Sequence, residues 1–335
     1  MKTQRVGILM GGMSSEHEVS LRTGNAVFEA LRERGYDVVK VFVDRDIDRV
    51  LRQTPIDVAF LALHGTYGED GAIQGLLEIF GIPYTGSSVM ASALAMDKLK
   101  SKQLFRLHNV PTPPYYTLVA DQLGRLEEIH GSFGFPVFVK PRCQGSSVGA
   151  GRANSLAELH RACEEALRFD ECALVERHVS GKEINVGLLD GQALGAIEIV
   201  PKGAFYDYKS KYTAGGSEYF YPARLSPTRY KGVMNLAERA AQALDVRGAT
   251  RVDMLVTEGE NEYVLEVNTL PGMTATSLLP KIAKGAGYDF PDLCEAILKR
   301  ARLHLRRPED APAPGGESPT PTPGGASAQS LAADA

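Results

Sequence analysis

The sequence predicts a mixed α/β and α+β protein: an N-terminal parallel-sheet α/β domain, a small central α+β domain and a C-terminal antiparallel sheet with helices. Three observations lead there. Short apolar runs alternate with amphipathic segments over the first third, prolines interrupt the chain at residues 110–114, and polar alternation marks the later strands.

Apolar runs at residues 6–10, 38–43 and 58–63 enclose a helix whose Leu21, Phe28 and Leu31 fall at helical spacing, the βαβ rhythm of a parallel sheet. Glycines follow the strand ends at Gly11, Gly12, Gly65 and Gly68, where an open parallel sheet gathers its binding loops. A helical stretch over 87–107 meets Pro111, Pro113 and Pro114, which cannot continue it. The first domain therefore spans 1–97.

The second, 98–180, is expected to hold a strand at 136–140, a glycine/serine loop at 145–151, a helix at 156–167 and a strand at 173–177. The third, 181–306, carries alternating strands at 183–189, 193–200, 250–256 and 262–267, with a helix over 230–244. Residues 307–335 have no aromatic residue and no apolar periodicity, and read as a disordered tail rich in Pro, Gly and Ala.

Composition narrows the function classes. Among 335 residues, 37 Lys and Arg face 41 Asp and Glu, so no overall basic field exists for nucleic acid or an anionic membrane. Cys143, Cys163, Cys172 and Cys294 show neither a C-x-x-C pair nor metal-type spacing, and read as reduced thiols. The apolar run at 6–10 is too short for a signal-peptide core, and no run approaches the ~20 residues of a membrane span. A cytoplasmic protein is expected.

Two groups of residues could carry chemistry. Lys140-Pro141 ends a strand and leads into Gly145-Ser146-Ser147-Val148-Gly149, a loop that can turn backbone N–H groups and the hydroxyls of Ser146 and Ser147 toward phosphate beside the Lys140 charge. The alternative is a plain surface turn. Arg251-Val252-Asp253 and Glu266-Val267-Asn268 each put polar side chains two apart, hence on one sheet face, with the valines opposite. Asp253, Glu266 and Asn268 would suit magnesium completed by substrate phosphates. A solvated face with an incidental salt bridge is the rival. Neither a P-loop nor a dinucleotide fingerprint occurs.

The ordered set of motifs resembles the D-alanine–D-alanine ligases of the ATP-grasp superfamily. It comprises Gly11-Gly12-Met13-Ser14-Ser15-Glu16, Leu63-His64-Gly65 with Gly68-Glu69-Asp70-Gly71, Met96-Asp97-Lys98, Lys140-Pro141, the 145–149 loop, Phe205-Tyr206-Asp207-Tyr208 with Lys211-Tyr212, and Glu266-Val267-Asn268-Thr269 with Pro271-Gly272-Met273-Thr274. The resemblance covers residues 6–303 and implies an ATP-grasp architecture. It also implies ATP-driven joining of two D-alanine molecules through a D-alanyl phosphate, for peptidoglycan precursors.

By that resemblance Lys98, Lys140, Lys211 and Arg251 supply positive charge, and Asp253, Glu266 and Asn268 hold two magnesium or manganese ions. Arg251 and the Gly272 N–H take the oxyanion. Glu16 meets the first ammonium, unless it is simply a helix N-terminal acid, and forms a set with Ser146 and Tyr212. Ser277 holds the second substrate's carboxylate. His64 contacts a carboxylate or is a structural imidazole. Glu176, Val179, Glu183, Phe205 and Ser147 surround the nucleotide. Relatives are commonly homodimers. Residues 205–221 read as a lid over the acyl phosphate.

Arg142-Cys143-Gln144 departs from the family pattern, which often has Glu before the loop. Rival functions are a ligase of other substrates, a non-catalytic nucleotide-binding regulator, and a scaffold acting through the tail. Glu16 with Lys211-Tyr212 argues against the first, and the intact set of Asp253, Glu266 and Asn268 against the second.

Overall fold

A parallel sheet in the order β2-β1-β3 opens the chain, built from β1 (Arg5–Gly11), β2 (Asp37–Val43) and β3 (Val58–Leu61). The computed structural model describes residues 3–201, 216–259 and 261–305; Phe205, Lys211, Tyr212 and the tail lie outside these residues. After Arg5, every residue of the central strand β1 is buried, as a strand covered on both faces must be. Helix α1 (His17–Glu33) packs Val27 and Leu31 against it, while α2 (Ile47–Gln53) and α3 (Ala72–Phe80) complete the cover.

The expected helix over 87–107 is two helices, α4 (Val89–Met96) and α5 (Lys98–Leu107). Asp97 breaks them: its backbone is extended at ψ 97°, and its carboxylate accepts from Lys100 N at 3.0 Å as the cap of α5. The break re-aims Lys98 and, four residues on, Lys102.

The central sheet is antiparallel, in the order β4-β7-β5-β6: β4 (Tyr115–Val119), β5 (Val137–Pro141), β6 (Gly151–Ala153) and β7 (Cys172–Arg177). A 3₁₀ turn (Ala120–Arg125) and α6 (Leu126–His130) follow β4. Helix α7 (Leu156–Leu167) has the predicted bounds, because Ser155 caps Glu158 N and Leu159, Cys163 and Ala166 line its buried face.

The third sheet, β10-β9-β8-β11-β12, contains β8 (Lys182–Leu189), β9 (Gln192–Pro201), β10 (Ser217–Phe220), β11 (Ala249–Val256) and β12 (Glu262–Asn268). Strand β10 was not expected: residues 217–220, part of the 205–221 segment read as a lid, form a strand antiparallel to β9 at one end of the sheet, and residues 205–215 of that segment lie outside the described residues. Tyr219 and Phe220 suit a pleated half-buried surface, which outweighs the polar composition of the longer segment. Helix α8 (Pro227–Ala243) covers one face with Val233, Ala237 and Ala240, and α9 (Leu278–Gly285) covers the other with Leu278 and Ile282. Helix α10 (Phe290–Leu298) packs on α1.

The strand carrying Arg251 and Asp253 is tied to the N-terminal sheet at its root. Gly86 and Gly248, at φ +97° and +70°, cross so closely that a Cβ on Gly248 would lie 2.8 Å from Gly86 Cα. Beside them Ser87 Oγ donates to Arg247 O and accepts from Arg247 N, both at 3.0 Å. Gly248→Ala is expected to destabilise by about 1–3 kcal/mol through strain and overpacking. Gly287→Ala, also at positive φ but with open space around it, should cost less. Urea midpoints of the two variants check this, and equal losses would deny the close crossing any importance.

Candidate active site

Three loops and one sheet face converge. After β1, Gly11 and Gly12 take positive φ and swing the chain so that Glu16, at the N-cap of α1, turns inward with only 7% of its surface exposed. Ser14 fixes this loop by donating to His64 O at 2.6 Å and accepting from Glu16 N at 3.2 Å. Ser146 Oγ donates to Glu16 Oε1, joining the central glycine/serine loop to the N-terminal one. Gly65 and Gly145 flank the same carboxylate, and a Cβ on either would stand about 3 Å from Glu16 Oε2. Side chains there would push Glu16 out.

His64 is buried, with Nε2 3.1 Å from Thr23 Oγ1. Burial lowers its pKa against the opposing pull of Glu16, which favours a neutral ring at pH 7. It is both a held structural group and part of a cavity wall.

On the sheet face the predicted alternation holds. Arg251 lies opposite Asn268 and Asp253 opposite Glu266 across β11 and β12, while Val252 and Val267 are buried on the other side. Arg251 donates twice to Asp253, Nε to Oδ1 at 2.6 Å and an Nη to Oδ2 at 2.8 Å. Among the described residues no group of three or more His, Cys, Asp or Glu is placed to hold a metal ion by itself. Instead Asp253, Glu266 and Asn268 offer two carboxylates and an amide oxygen on neighbouring pairs, an all-oxygen set that fits a hard cation still needing phosphate ligands.

Lys98 is buried and lines the larger cavity. Its Nζ donates to Gln144 O at 2.5 Å and lies 3.9 Å from Glu266, and burial lowers its pKa despite Glu266. Lys140 pairs with Glu176 at 2.5 Å. In the glycine/serine loop Ser146 and Ser147 sit at φ +50° and +59°, left-handed values that non-glycine residues adopt at some cost and that functional loops often retain. The departure Arg142-Cys143-Gln144 has a structural account. Arg142 makes a two-pronged ion pair with Asp97 at 2.8 and 2.5 Å, and Lys98 uses the backbone oxygen of residue 144, which Gln supplies as well as Glu would.

Two cavities meet on this face. The larger, about 540 Å³, is lined by Lys98, Lys140, Ser147, Glu176, Val179 and Glu183, together with Asp253. The smaller, about 90 Å³, is lined by Glu16, His64, Ser146, Arg251, Gly272 and Ser277, with Asn268 beside them. Glu266 belongs to both, and the adjacent residues Ser146 and Ser147 divide between them. Asp253 and Arg251, two apart on one strand, divide in the same way. A large ligand in one cavity would thus present one end to a small ligand in the other. Ser277 Oγ accepts from Thr274 N at 3.0 Å, and a Cβ on Gly272 would approach that hydroxyl to 2.8 Å, so glycine keeps the turn open.

Of the expected site residues, Phe205, Lys211 and Tyr212 fall outside the described residues, and every other one lines a cavity. Two site groups escaped sequence reading. Lys102 pairs with Glu176 at 2.5 Å from full burial, and its signal was position: four residues after Lys98, on the same helix face. Glu69 lines the small cavity and accepts from Gly65 N at 2.8 Å. It stood inside a quoted motif without a role.

The chain is similar to known proteins over about 90% of its length. A family model described as D-ala D-ala ligase C-terminus matches residues 104–299, and one described as D-ala D-ala ligase N-terminus matches 5–54 and 47–87. The D-alanine–D-alanine ligase of Geotalea uraniireducens (strain Rf4) is 52% identical over 305 residues, covering 91% of this chain and 98% of the relative. That of Anaeromyxobacter dehalogenans (strain 2CP-C) is 53% identical over 300 residues, covering 90% and 97%. The crystal structure of a Bacillus anthracis D-alanine–D-alanine ligase complexed with ATP superposes with a TM-score of 0.76 at 35% identity, covering 88% of this chain and 96% of that one. VanG D-Ala:D-Ser ligase from Enterococcus faecalis superposes at 0.78 with 29% identity, covering 88% and 98%.

Burial, then the nearby Glu16 charge, push the Glu69 carboxyl up to about 8 from its ordinary 4.5. The native state therefore binds the extra proton between those values. The stability this contributes is full below about 4.5 and is lost as pH rises through about 8. In nucleotide-free protein, the Tm of Glu69→Gln minus that of wild type should accordingly rise between pH 5 and 9. Parallel Tm curves would refute the shift.

Proposed function

The chain belongs to the D-alanine–D-alanine ligase family, and from that membership we propose how its residues join two D-alanine molecules with ATP. The protein is an ATP-binding ligase that forms D-alanyl-D-alanine for peptidoglycan synthesis. The observation that carries the residue assignment is the meeting of a large and a small cavity on Glu266 and the Arg251–Asp253 pair.

ATP occupies the larger cavity, its adenine near Glu176 and Val179, its ribose at Glu183, and its phosphates at Lys98, Lys140 and Ser147. Phe205 stacks nearby. Asp253, Glu266 and Asn268 would hold two magnesium or manganese ions, which shield phosphate charge when bound. The first D-alanine sits in the smaller cavity with its ammonium at Glu16, which Ser146 orients. The neutral His64 ring lies within reach of its carboxylate.

The first step brings a carboxylate to the γ-phosphate, two anions that repel unless positive charge is concentrated between them. Lys98, Lys140, Lys211 and Arg251 supply it. The carboxylate oxygen bonds to phosphorus and ADP leaves. The amine of the second D-alanine, held through its carboxylate by Ser277, then attacks the acyl carbon. Arg251 and the Gly272 N–H steady the oxyanion until inorganic phosphate departs. Tyr212 joins Glu16 and Ser146 and favours an amine acceptor, and residues 205–215 shield the acyl phosphate from water.

Three further parts belong to this reading: a homodimer, which rests on family membership, a cytoplasmic location, which rests on the family and the sequence, and domain limits at residues 97, 180 and 306, which rest on the proline connector, the change of strand pattern and the tail composition. Among the described residues no helix is long and apolar enough to cross a membrane.

Pure protein supplied with ATP, magnesium and D-alanine should release equal amounts of phosphate and D-alanyl-D-alanine, and chelation of the metal should stop both. Asp253→Asn should lower kcat by about 100-fold or more, the scale of losing a transition-state charge contact. Turnover in EDTA, or an unimpaired Asp253→Asn, would defeat the metal assignment. Tyr212→Phe should shift the preference between D-alanine and D-lactate as acceptors. An unchanged ratio across pH would remove Tyr212 from acceptor choice.

A further inference from the structure

Lys102 takes no part in the scheme above, yet its surroundings are built with care. It is fully buried on α5, its Nζ 2.5 Å from Glu176 Oε1. It also donates to Thr112 Oγ1 at 2.5 Å and to Pro113 O at 3.2 Å, and lies 5.1 Å from the Tyr115 ring centroid. Lys140 takes the other oxygen of Glu176 at 2.5 Å. The carboxylate is thus pinned between two ammonium groups, one sealed behind the cavity wall and one facing into it.

We propose that Lys102 is a positioning residue that fixes Glu176 toward the nucleobase and leaves Lys140 with charge to spare for the phosphates. The proposal rests on ATP occupying the larger cavity.

Charge arithmetic gives the first half of the argument. Below about pH 8, to which burial lowers the Lys102 ammonium against the opposing pull of Glu176, two ammonium groups against one carboxylate leave one net positive charge beside the phosphate loop. Without Lys102 the remaining pair is neutral, and Lys140 must either stay on Glu176 or abandon a buried anion to reach phosphate, which is costly. Burial opposes ionisation of Glu176, but Lys102 first and Lys140 next outweigh it and hold its pKa low.

Hydrogen-bond chemistry gives the second half. A carboxylate has about four acceptor positions, so Glu176 keeps room for a donor beyond its two lysines. Adenine offers its exocyclic amine as a donor, whereas guanine offers a carbonyl oxygen at the corresponding position. A carboxylate that is held ionised and cannot swing away accepts the first and repels the second. Preference for ATP over GTP should therefore depend on a residue that touches neither nucleotide.

The test compares wild type, Lys102→Met and Lys102→Met/Glu176→Gln, reading KM for ATP and GTP, kcat, and binding of tripolyphosphate by calorimetry. Lys102→Met should raise KM for ATP by about tenfold or more, about 1.4 kcal/mol. It should weaken tripolyphosphate similarly and reduce the ATP/GTP preference, with a smaller change in kcat. In the double variant the net charge returns to one positive, so tripolyphosphate affinity should recover while the base preference stays lost. A merely structural Lys102 would show no such recovery. Should Lys102→Met fail to fold, Lys102→Gln carries the same comparison while keeping a polar group for Thr112. An unchanged KM for ATP with unchanged base preference, or a double variant that binds tripolyphosphate no better than the single one, overturns the proposal. Wild type that makes no dipeptide would instead overturn the ligase reading, because the binding data stand apart from turnover.

Discussion

Among the described residues the buried Lys98 and Lys102 and the partly buried Lys140 and Arg251 each wait against a carboxylate or carbonyl, and the arrangement of the site follows from that neutralisation. Lys140 and Lys102 share Glu176, Arg251 grips Asp253, and Lys98 rests on Gln144 O within 4 Å of Glu266. Unpaired charge is expensive away from water, so the ligand-free fold must supply counter-charges itself. Those counter-charges cannot bind so well that incoming phosphate fails to compete. Sharing one carboxylate between two lysines, and leaving Lys98 at 3.9 Å from Glu266, meets both demands.

The three sheets exist in the arrangement that makes this possible. Period-two alternation delivers Arg251, Asp253, Glu266 and Asn268 to one face while Val252 and Val267 hold the other in the core. The Gly86–Gly248 crossing fixes the root of β11 to the N-terminal sheet, so the loops bearing Glu16 and His64 reach the same point. From the central sheet, β5 and the loop after it add Lys140 and Ser146. Each element is ordinary, and their convergence creates the chemistry.

Much of this was legible in the sequence. Strand β1 is a continuous apolar run closed by glycines, helix α7 has helical periodicity and a clear Ser155 cap, and the sheet-face cluster followed from alternation. Strand β10 was not legible, since a four-residue edge strand is decided by pairing with β9 rather than by its own composition. The break at Asp97 was hidden because both flanking segments favour helix, and only the cap geometry separates them. Lys102 and Glu69 were missed for a shared reason. A lone lysine on a helix or a glutamate in a glycine-rich loop looks solvated until tertiary packing buries it beside a partner. The family resemblance supplied most individual roles, but it could not say how this chain accommodates Arg142; its pairing with Asp97 came from the structure.

The account stands on the claim that clustered cations let a D-alanine carboxylate attack the γ-phosphate. Following ¹⁸O from the labelled carboxylate of D-alanine into inorganic phosphate during turnover tests it most directly. One labelled oxygen should appear in phosphate for each dipeptide formed, because the attacking carboxylate oxygen leaves with phosphorus. Dipeptide formation with unlabelled phosphate would contradict the account.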